Sequence, residues 1–212
     1  MAITLLRHGL TLDNEKGRYI GWTNGSLSED GRTMLYRQRN ELSYPHPDVL
    51  YSSDLLRCQE TANILYPTTE VLLMPEFREL NFGTWEGKTY EELKNDSLYQ
   101  AWLTSPFHTC PLNGESFKEL EQRVLKGIKK ILNNTALTGH SEIVIMTHGG
   151  VIRLLLEHFA PAPLGFWDWK VGYGSGYRLI GKTRALLGGK RCTLLQEVPI
   201  TERENGYRRT IN

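Results

Sequence analysis

The sequence predicts an α/β fold, a three-layer α/β/α sandwich with a mostly parallel central sheet. Short apolar runs alternate with helical patterns along the chain, which is typical of a sheet covered by helices on both faces. The run 143–146, Ile-Val-Ile-Met, is continuously apolar and is bounded by polar residues. Such a run indicates a central strand that is buried on both faces.

Each predicted element rests on a local pattern. We expect strands at 2–6, 49–52, 70–73, 143–146, 176–180 and 192–198, of which the last two form an edge hairpin. We expect helices at about 29–42, from near Leu55, from Ser116 and at about 151–158. Ser116 and Glu119 match a capping box, and Ser52-Ser53-Asp54 has the composition of a helix cap.

Composition narrows the functional classes. The 212 residues contain no linker-like stretch, so we expect one domain over 1–212. The formal charge of +1 lacks the basic excess typical of general nucleic-acid or anionic-membrane binders. No signal-peptide pattern or membrane-spanning apolar run is present, and the cysteines, odd in number and without metal spacing, suit a reducing cytosol. The chain is therefore predicted to be cytoplasmic, to contain no metal or cofactor, and to make no membrane insertion.

Two histidine-glycine motifs follow predicted buried strands. Arg7-His8-Gly9 comes after the first strand, and His148-Gly149-Gly150 comes after the strand at 143–146. The carboxyl ends of parallel strands are where open α/β sheets bind ligands, and helix N-termini there favour phosphate. Glycine after each histidine lets the backbone approach a ligand closely. The sequence thus predicts a phosphate site containing both histidines.

At this point the chain resembles the histidine phosphatases, also called phosphoglycerate-mutase-like enzymes. The matching segments, in the family's order, are Leu-Arg-His-Gly-Leu-Thr at 6–11 with Asn14, Leu-Ser-Glu-Asp-Gly at 27–31, Ser-Ser-Asp-Leu-Leu-Arg-Cys-Gln-Glu-Thr-Ala at 52–62, Arg-Glu-Leu-Asn-Phe-Gly-Thr-Trp-Glu-Gly at 78–87, Asn-Gly-Glu-Ser at 113–116 and Thr-His-Gly-Gly-Val-Ile-Arg at 147–153. The chain departs from the family at Leu10, where an acidic or polar residue is usual. The resemblance implies the phosphoglycerate mutase-like fold.

The resemblance also implies how the phosphate is bound. Arg7 and Arg57 would supply guanidinium donors, Asn14 a further side-chain donor, and Gly149 a close backbone approach. His148 would complete the cluster and, with the arginines, would stabilise charge on the equatorial oxygens of the transferring group. A phosphate monoester offers three acceptor oxygens and nearly two negative charges, so several fixed donors suit it.

The chemistry implied by the resemblance is covalent catalysis by His8. Two nearby arginines would disfavour protonation of the imidazole and leave it free to attack phosphorus. Glu79 would protonate the departing oxygen and later activate water. Glu86 lies in the same segment and is the rival acid, but the alignment of segments favours Glu79, and we expect Glu86 to stabilise the loop.

Two other features have competing interpretations. Cys58 lies beside Arg57, but a cysteine phosphatase needs an arginine six positions after its cysteine, and that position is Ile64. Cys58 is therefore expected to be a small buried residue. The aromatic run 166–169, Phe-Trp-Asp-Trp, is compatible with stacking on a ring-bearing substrate, although on composition alone core packing is the commoner use.

Within the family, the segments 99–102, 111–117 and 171–176 resemble the α-ribazole phosphatases. This resemblance implies a small-molecule partner, α-ribazole 5′-phosphate or the cobalamin precursor that carries it. Two alternatives stay open: a sugar-phosphate phosphatase or mutase, and a non-catalytic phosphate-binding module. The stretch 87–143 is shorter than in mutases of the family, which favours hydrolysis. The edge hairpin is compatible with a homodimer.

Overall fold

The structure is a computed structural model that describes residues 1–162 and 164–200. One sheet contains six strands in the spatial order β3-β2-β4-β1-β5-β6. The strands are β1 Ala2–Arg7, β2 Val49–Ser52, β3 Val71–Leu73, β4 Glu142–Thr147, β5 Gly176–Ile180 and β6 Leu194–Val198. The helices are α1 Leu12–Glu15, α2 Glu29–Glu41, α3 Leu56–Leu65, α4 Tyr90–Leu93, α5 Ser97–Thr104, α6 Phe117–Thr138, α7 Gly149–Phe159 and α8 Thr183–Leu187.

The sheet is mostly parallel, as predicted. Strands β1, β2, β3 and β4 run in one direction, with β4 between β2 and β1. Strand β5 runs antiparallel to β1, and β6 pairs antiparallel with β5 to form the predicted edge hairpin. The carboxyl ends of β2, β4 and β1 therefore lie side by side at one edge of the sheet.

Alternating strand residues face two separate hydrophobic layers. In β4, Ile143 and Ile145 pack in a core that contains the apolar faces of α6 and α7. Val144 and Met146 point the other way, into a second core with residues of α2 and α3. All four side chains are fully buried. This arrangement confirms the three-layer α/β/α sandwich predicted from the continuous apolar run.

A third, smaller cluster lies outside these two layers. Trp85, Leu93, Tyr99 and Trp102 are buried together in the segment that contains α4 and α5. The sequence pattern did not predict these two short helices. They begin at polar caps, Thr89 and Asp96, whose side chains accept from backbone amides of the first turn.

The remaining element predictions are confirmed with two corrections. The capping box of Ser116 and Glu119 is present at the start of α6. The expected cap at Ser52-Ser53-Asp54 is wrong, since the amide of Leu56, the first residue of α3, donates to Asn24 Oδ1 and Asp54 instead forms an ion pair with Arg78. The last strand begins at 194 and not at 192, because α8 and a turn precede it. The polar tail after Thr201 lies outside the described residues.

In the described residues, no helix combines the length and the apolar character needed to cross a membrane.

Candidate active site

Three residues that directly follow parallel strands meet at one edge of the sheet. His8 follows β1, Ser53 follows β2 and His148 follows β4. Since β4 is the central strand of the three, His148 lies between the other two side chains: its Nε2 is 3.0 Å from Ser53 Oγ, and its ring centroid is 5.1 Å from that of His8. The sheet topology thus brings the two predicted histidines together.

His8 is held in one orientation, and its Nε2 has no hydrogen-bond partner within residues 1–162 and 164–200. Its Nδ1 lies 2.6 Å from the Gly9 carbonyl oxygen and can only donate to it, which leaves the lone pair on Nε2. The side chain is 5% exposed. Burial lowers the pKa of His8 well below 6.5, and the positive charges of Arg57 and Arg7 lower it further. His8 is therefore a neutral imidazole.

His148 is completely buried and is neutral for the same reason. Burial is the largest cause of its lowered pKa, followed by the charge of Arg57. A guanidinium can only donate, so the contact of 3.2 Å between Arg57 Nη2 and His148 Nδ1 assigns Nδ1 as the acceptor. Nε2 then carries the proton and donates to Ser53 Oγ. The histidine holds the arginine in place.

Arg57 is a buried cation whose partners are neutral. Its Nη1 donates to the Thr23 carbonyl at 2.8 Å, and its Nη2 donates to the Gly21 carbonyl at 2.6 Å. The Nε atom is buried and has no hydrogen-bond partner among residues 1–162 and 164–200. A buried donor without a partner is costly, so this N–H is suited to an anionic ligand.

Arg7 repeats this arrangement on the other side of the histidines. Its Nη1 donates to the Val171 carbonyl at 2.8 Å, and its guanidinium lies 4.0 Å from the ring centroid of Tyr173. Within the described part of the chain its Nε is also buried without a partner. Gly149 lies beside it, since a Cβ on that glycine would be 3.6 Å from Arg7 Nε. As the first residue of α7, Gly149 has an amide that the helix leaves unpaired.

The side chain of Glu79 lies against the first turn of α7. Its Oε2 accepts from the Gly150 amide at 2.9 Å, and its Oε1 accepts from the Leu80 amide at 3.0 Å. A Cβ at Gly150 would lie 2.4 Å from Oε1, so this position needs glycine for the carboxylate to approach. The structure therefore places Glu79 against the first turn of α7, at the edge of the cluster that contains His148.

The segment that carries Glu79 is fixed by a buried ion pair that the sequence did not predict. Arg123 on α6 pairs with Glu115 at 2.6 Å and donates to the carbonyl oxygens of Glu76, Arg78 and Glu79. Both side chains of the pair are less than one-fifth exposed. In the sequence Arg123 resembles any charged residue on a helix, and only the tertiary contacts show its function.

Asn14 lies apart from the other predicted residues. Its Oδ1 accepts from the amide and hydroxyl of Thr11 in the capping box of α1. None of its hydrogen bonds within the described ranges reaches His8, Arg57 or His148. Asn14 therefore stays a predicted donor, carried by the short helix α1 that follows His8.

Glu86 has the structural role expected for it. Its carboxylate accepts from the backbone amides of Gly21, Trp22, Thr23 and Phe82 and from the Thr23 hydroxyl. The loop it organises supplies both carbonyl groups that hold Arg57. Glu86 thus positions Arg57 without contacting it.

Cys58 forms part of the buried wall behind His148. Its Sγ is 3.4 Å from His148 Nε2 and 3.6 Å from the Thr147 carbonyl oxygen. Burial raises the pKa of the thiol to about 12, so it stays protonated. Cys58 is the small buried residue that was expected, and it has no thiolate character.

Across residues 1–162 and 164–200, no group of three or more histidine, cysteine, aspartate or glutamate side chains is arranged to hold a metal ion.

We expect Glu86→Gln to weaken the binding of inorganic phosphate about tenfold, equivalent to about 1.4 kcal/mol, because an amide cannot accept all of the hydrogen bonds that hold the loop under Arg57. Isothermal titration calorimetry with phosphate measures the change, and thermal unfolding checks that the fold is retained. Glu91→Gln is the matched control, since Glu91 is exposed and pairs with the exposed Lys94, away from the loop under Arg57. Wild-type phosphate affinity in Glu86→Gln would show that the loop does not position Arg57.

Comparison with known proteins identifies relatives of this arrangement. The family model of the histidine phosphatase superfamily (branch 1) matches residues 3–184. The adenosylcobalamin/α-ribazole phosphatase of Escherichia coli K12 is 29% identical over 179 residues, which cover 82% of this chain and 87% of that protein.

Two solved structures show the same fold. The α-ribazole phosphatase of Shigella flexneri superposes with a TM-score of 0.77 at 28% identity and covers 86% of this chain and 92% of its own. A phosphoglycerate mutase of Thermus thermophilus superposes with a TM-score of 0.68 at 30% identity and covers 92% of this chain and 98% of its own. With the family model matching most of its length, the chain belongs to the histidine phosphatase superfamily.

Proposed function

We propose that the protein hydrolyses α-ribazole 5′-phosphate, or a cobalamin precursor that carries it, through a phosphohistidine on His8. The observation that carries the chemistry is the Nε2 lone pair of a neutral His8 beside two guanidinium groups, each with a buried Nε that has no partner in the described residues. The substrate is inferred from the names of relatives such as the Escherichia coli enzyme. The cytoplasm is the proposed location, as expected from the cysteine usage and the composition.

The first half-reaction transfers the phosphoryl group to the protein. His8 Nε2 attacks phosphorus, the bond from phosphorus to the ester oxygen breaks, and Glu79 gives its proton to that oxygen. Arg7, Arg57 and the Gly149 amide bind the remaining phosphoryl oxygens, where charge is spread during transfer. Asn14 is a further donor in this proposal.

The second half-reaction returns the protein to its starting state. Glu79, now a carboxylate, takes a proton from water, whose oxygen attacks phosphorus. The bond between phosphorus and Nε2 breaks, and inorganic phosphate leaves. His148 acts through Arg57 in both steps, since its Nδ1 holds the guanidinium that faces the transferring group. Neither step requires a change of charge on His148.

The leading alternative is a mutase or a sugar-phosphate phosphatase. The Thermus thermophilus structure that this chain resembles is a phosphoglycerate mutase. The phosphohistidine chemistry is common to both, so His8 does not separate them. The preferred substrate distinguishes the two candidate functions.

We expect a phosphate-release screen without added metal to show α-ribazole 5′-phosphate as the preferred substrate over sugar phosphates, nucleoside monophosphates and phosphoamino acids. His8→Ala should abolish turnover, with at least roughly a thousandfold loss, because it removes the nucleophile. Preference for sugar phosphates with the same dependence on His8 would discard the substrate and keep the mechanism. Full activity in His8→Ala would overturn the mechanism.

The role of Glu79 as acid predicts a dependence on the leaving group. Glu79→Gln should lower kcat/KM for α-ribazole 5′-phosphate by roughly a hundredfold to ten-thousandfold, because an alkoxide leaves poorly without a proton. For p-nitrophenyl phosphate the loss should be less than about tenfold, since p-nitrophenolate leaves unprotonated. Steady-state kinetics on both esters measure this, with Glu91→Gln as control. Equal losses on the two esters would assign Glu79 a positioning role only.

The lowered pKa of His8 predicts activity in mild acid. A histidine whose pKa is depressed loses its free lone pair only as the pH falls through that depressed value, so the acid limb of kcat/KM should lie below pH 6.5. Arg57→Gln should move this limb upward, because it removes a cation that disfavours protonation of His8. The pH profiles of the two proteins test this. An acid limb at or above pH 6.5 in the wild type would contradict the neutral, buried His8.

A further inference from the structure

A cavity of about 170 Å³ opens beside Glu79 and Gly150, next to the phosphate donors. If Glu79 protonates the ester oxygen, the rest of the leaving group must extend past Glu79 into this space. Among the described residues, two charged side chains line it, Glu79 and Arg153, and most of the other lining residues are aromatic. The chemical character of the lining residues therefore indicates which kind of leaving group the cavity can bind.

One wall of the cavity is a rigid aromatic cluster. Tyr19, Phe82 and Trp102 line the cavity, with ring centroids 5.2 to 6.0 Å apart in edge-to-face contacts. The Tyr19 hydroxyl is 2.7 Å from that of Tyr99, so it is already hydrogen-bonded. This wall presents ring surfaces and offers few groups that could bind sugar hydroxyls.

The rest of the aromatic lining comes from two connecting segments and from the first residue of α6. Phe107, Phe117 and Phe166 pack edge to face, with centroids 4.6 to 5.6 Å apart, and Trp167 lies 4.8 Å from Phe166. Phe166 is buried, whereas Trp167 is 59% exposed and Phe107 is 41% exposed. The aromatic run therefore divides: Phe166 and Trp169 are core residues, and Trp167 is at the cavity with its ring largely uncovered.

Arg153 connects this wall to the phosphate donors. Its guanidinium carbon is 5.9 Å from the Trp167 ring centroid, and its Nε donates to the Trp169 carbonyl at 3.2 Å. Its Nη1 lies 3.2 Å from the position that a Cβ on Gly149 would occupy. One ligand of nucleotide size can therefore reach both the phosphate donors and the face of Trp167.

We propose that this cavity is the subsite for a planar aromatic ring on the leaving group, with Trp167 as the stacking face. A large exposed indole beside a catalytic carboxylate is explained by a ring that covers it, because stacking on an aromatic side chain is favourable and insensitive to ring substituents. A sugar without a base would need more polar partners than this lining supplies. The inference rests on the proposed function in one respect, that Glu79 marks the side from which the leaving group departs.

The test measures binding of free α-ribazole, the nucleoside with a benzimidazole ring and no phosphate, by isothermal titration calorimetry. Trp167→Ala should weaken its binding about tenfold, and Trp167→Phe, which keeps an aromatic face, should stay within about threefold of wild type. Tyr36→Ala is the matched control, because Tyr36 is an aromatic residue exposed to 52% on α2, away from the cavity. The affinity of Tyr36→Ala for free α-ribazole should equal that of the wild type.

Kinetics supply a second readout with two esters of the same sugar. Ribose 5-phosphate lacks the ring of α-ribazole 5′-phosphate, so Trp167→Ala should lower kcat/KM for the nucleotide about tenfold and for the sugar phosphate by less than about twofold. Equal losses on both esters would overturn the subsite. So would equal affinities of wild type and Trp167→Ala for free α-ribazole, or no binding of free α-ribazole to the wild type.

The two proposals fail in different ways. If α-ribazole binds through Trp167 but its phosphate is not hydrolysed, the aromatic subsite stands and the proposed substrate falls. If α-ribazole 5′-phosphate is hydrolysed but Trp167→Ala affects it no more than ribose 5-phosphate, the function stands and the subsite falls. Thermal unfolding of each variant confirms that it is folded, and a substitution at an exposed residue such as Trp167 is expected to preserve the fold.

Discussion

Two guanidinium groups without carboxylate partners set the constraints on the rest of the site. Neither Arg7 nor Arg57 makes an ion pair within residues 1–162 and 164–200, and backbone carbonyls of Thr23, Gly21 and Val171 hold them instead. Carbonyl partners leave the positive charge uncompensated, which a paired carboxylate would cancel. Burial is the main reason that the neighbouring histidines are neutral, and this charge adds to its effect. The same charge favours an anionic ligand.

The need to keep carboxylates away from this charge explains how the acidic residues are used. Glu86 lies close by, but its acceptor capacity is taken up by loop amides. Glu115 is paired with Arg123, and Asp54 is paired with Arg78. Glu79 accepts from the Leu80 and Gly150 amides and, like Glu86, has no ion-pair partner in the described residues. The positions of the other three explain why the segment around Glu79 is rigid.

The layered fold and the two histidine positions follow from local patterns. A continuous apolar run such as 143–146 predicts a central strand, and a His-Gly pair after such a strand predicts a ligand edge. The contacts of Arg123 and Ser53 could not be predicted in this way. Each depends on which elements meet in three dimensions, and neither residue type is unusual in its local sequence. The same limit explains the failed cap at Ser52-Ser53-Asp54, where Ser53 bonds across the fold to His148 and Asp54 to Arg78. The homodimer expected from the edge hairpin stays a prediction.

The cavity walls and the phosphate donors come from different parts of the architecture. His8, Arg7 and His148 are located by strand ends within the sheet, whereas Phe107 and Trp167 are carried by segments that join helices and strands. Connecting segments tolerate substitution, insertion and deletion more readily than buried strands do. Descendants of one ancestral sequence could therefore exchange one leaving group for another by altering these segments, while the strand ends that carry the proposed chemistry are inherited unchanged.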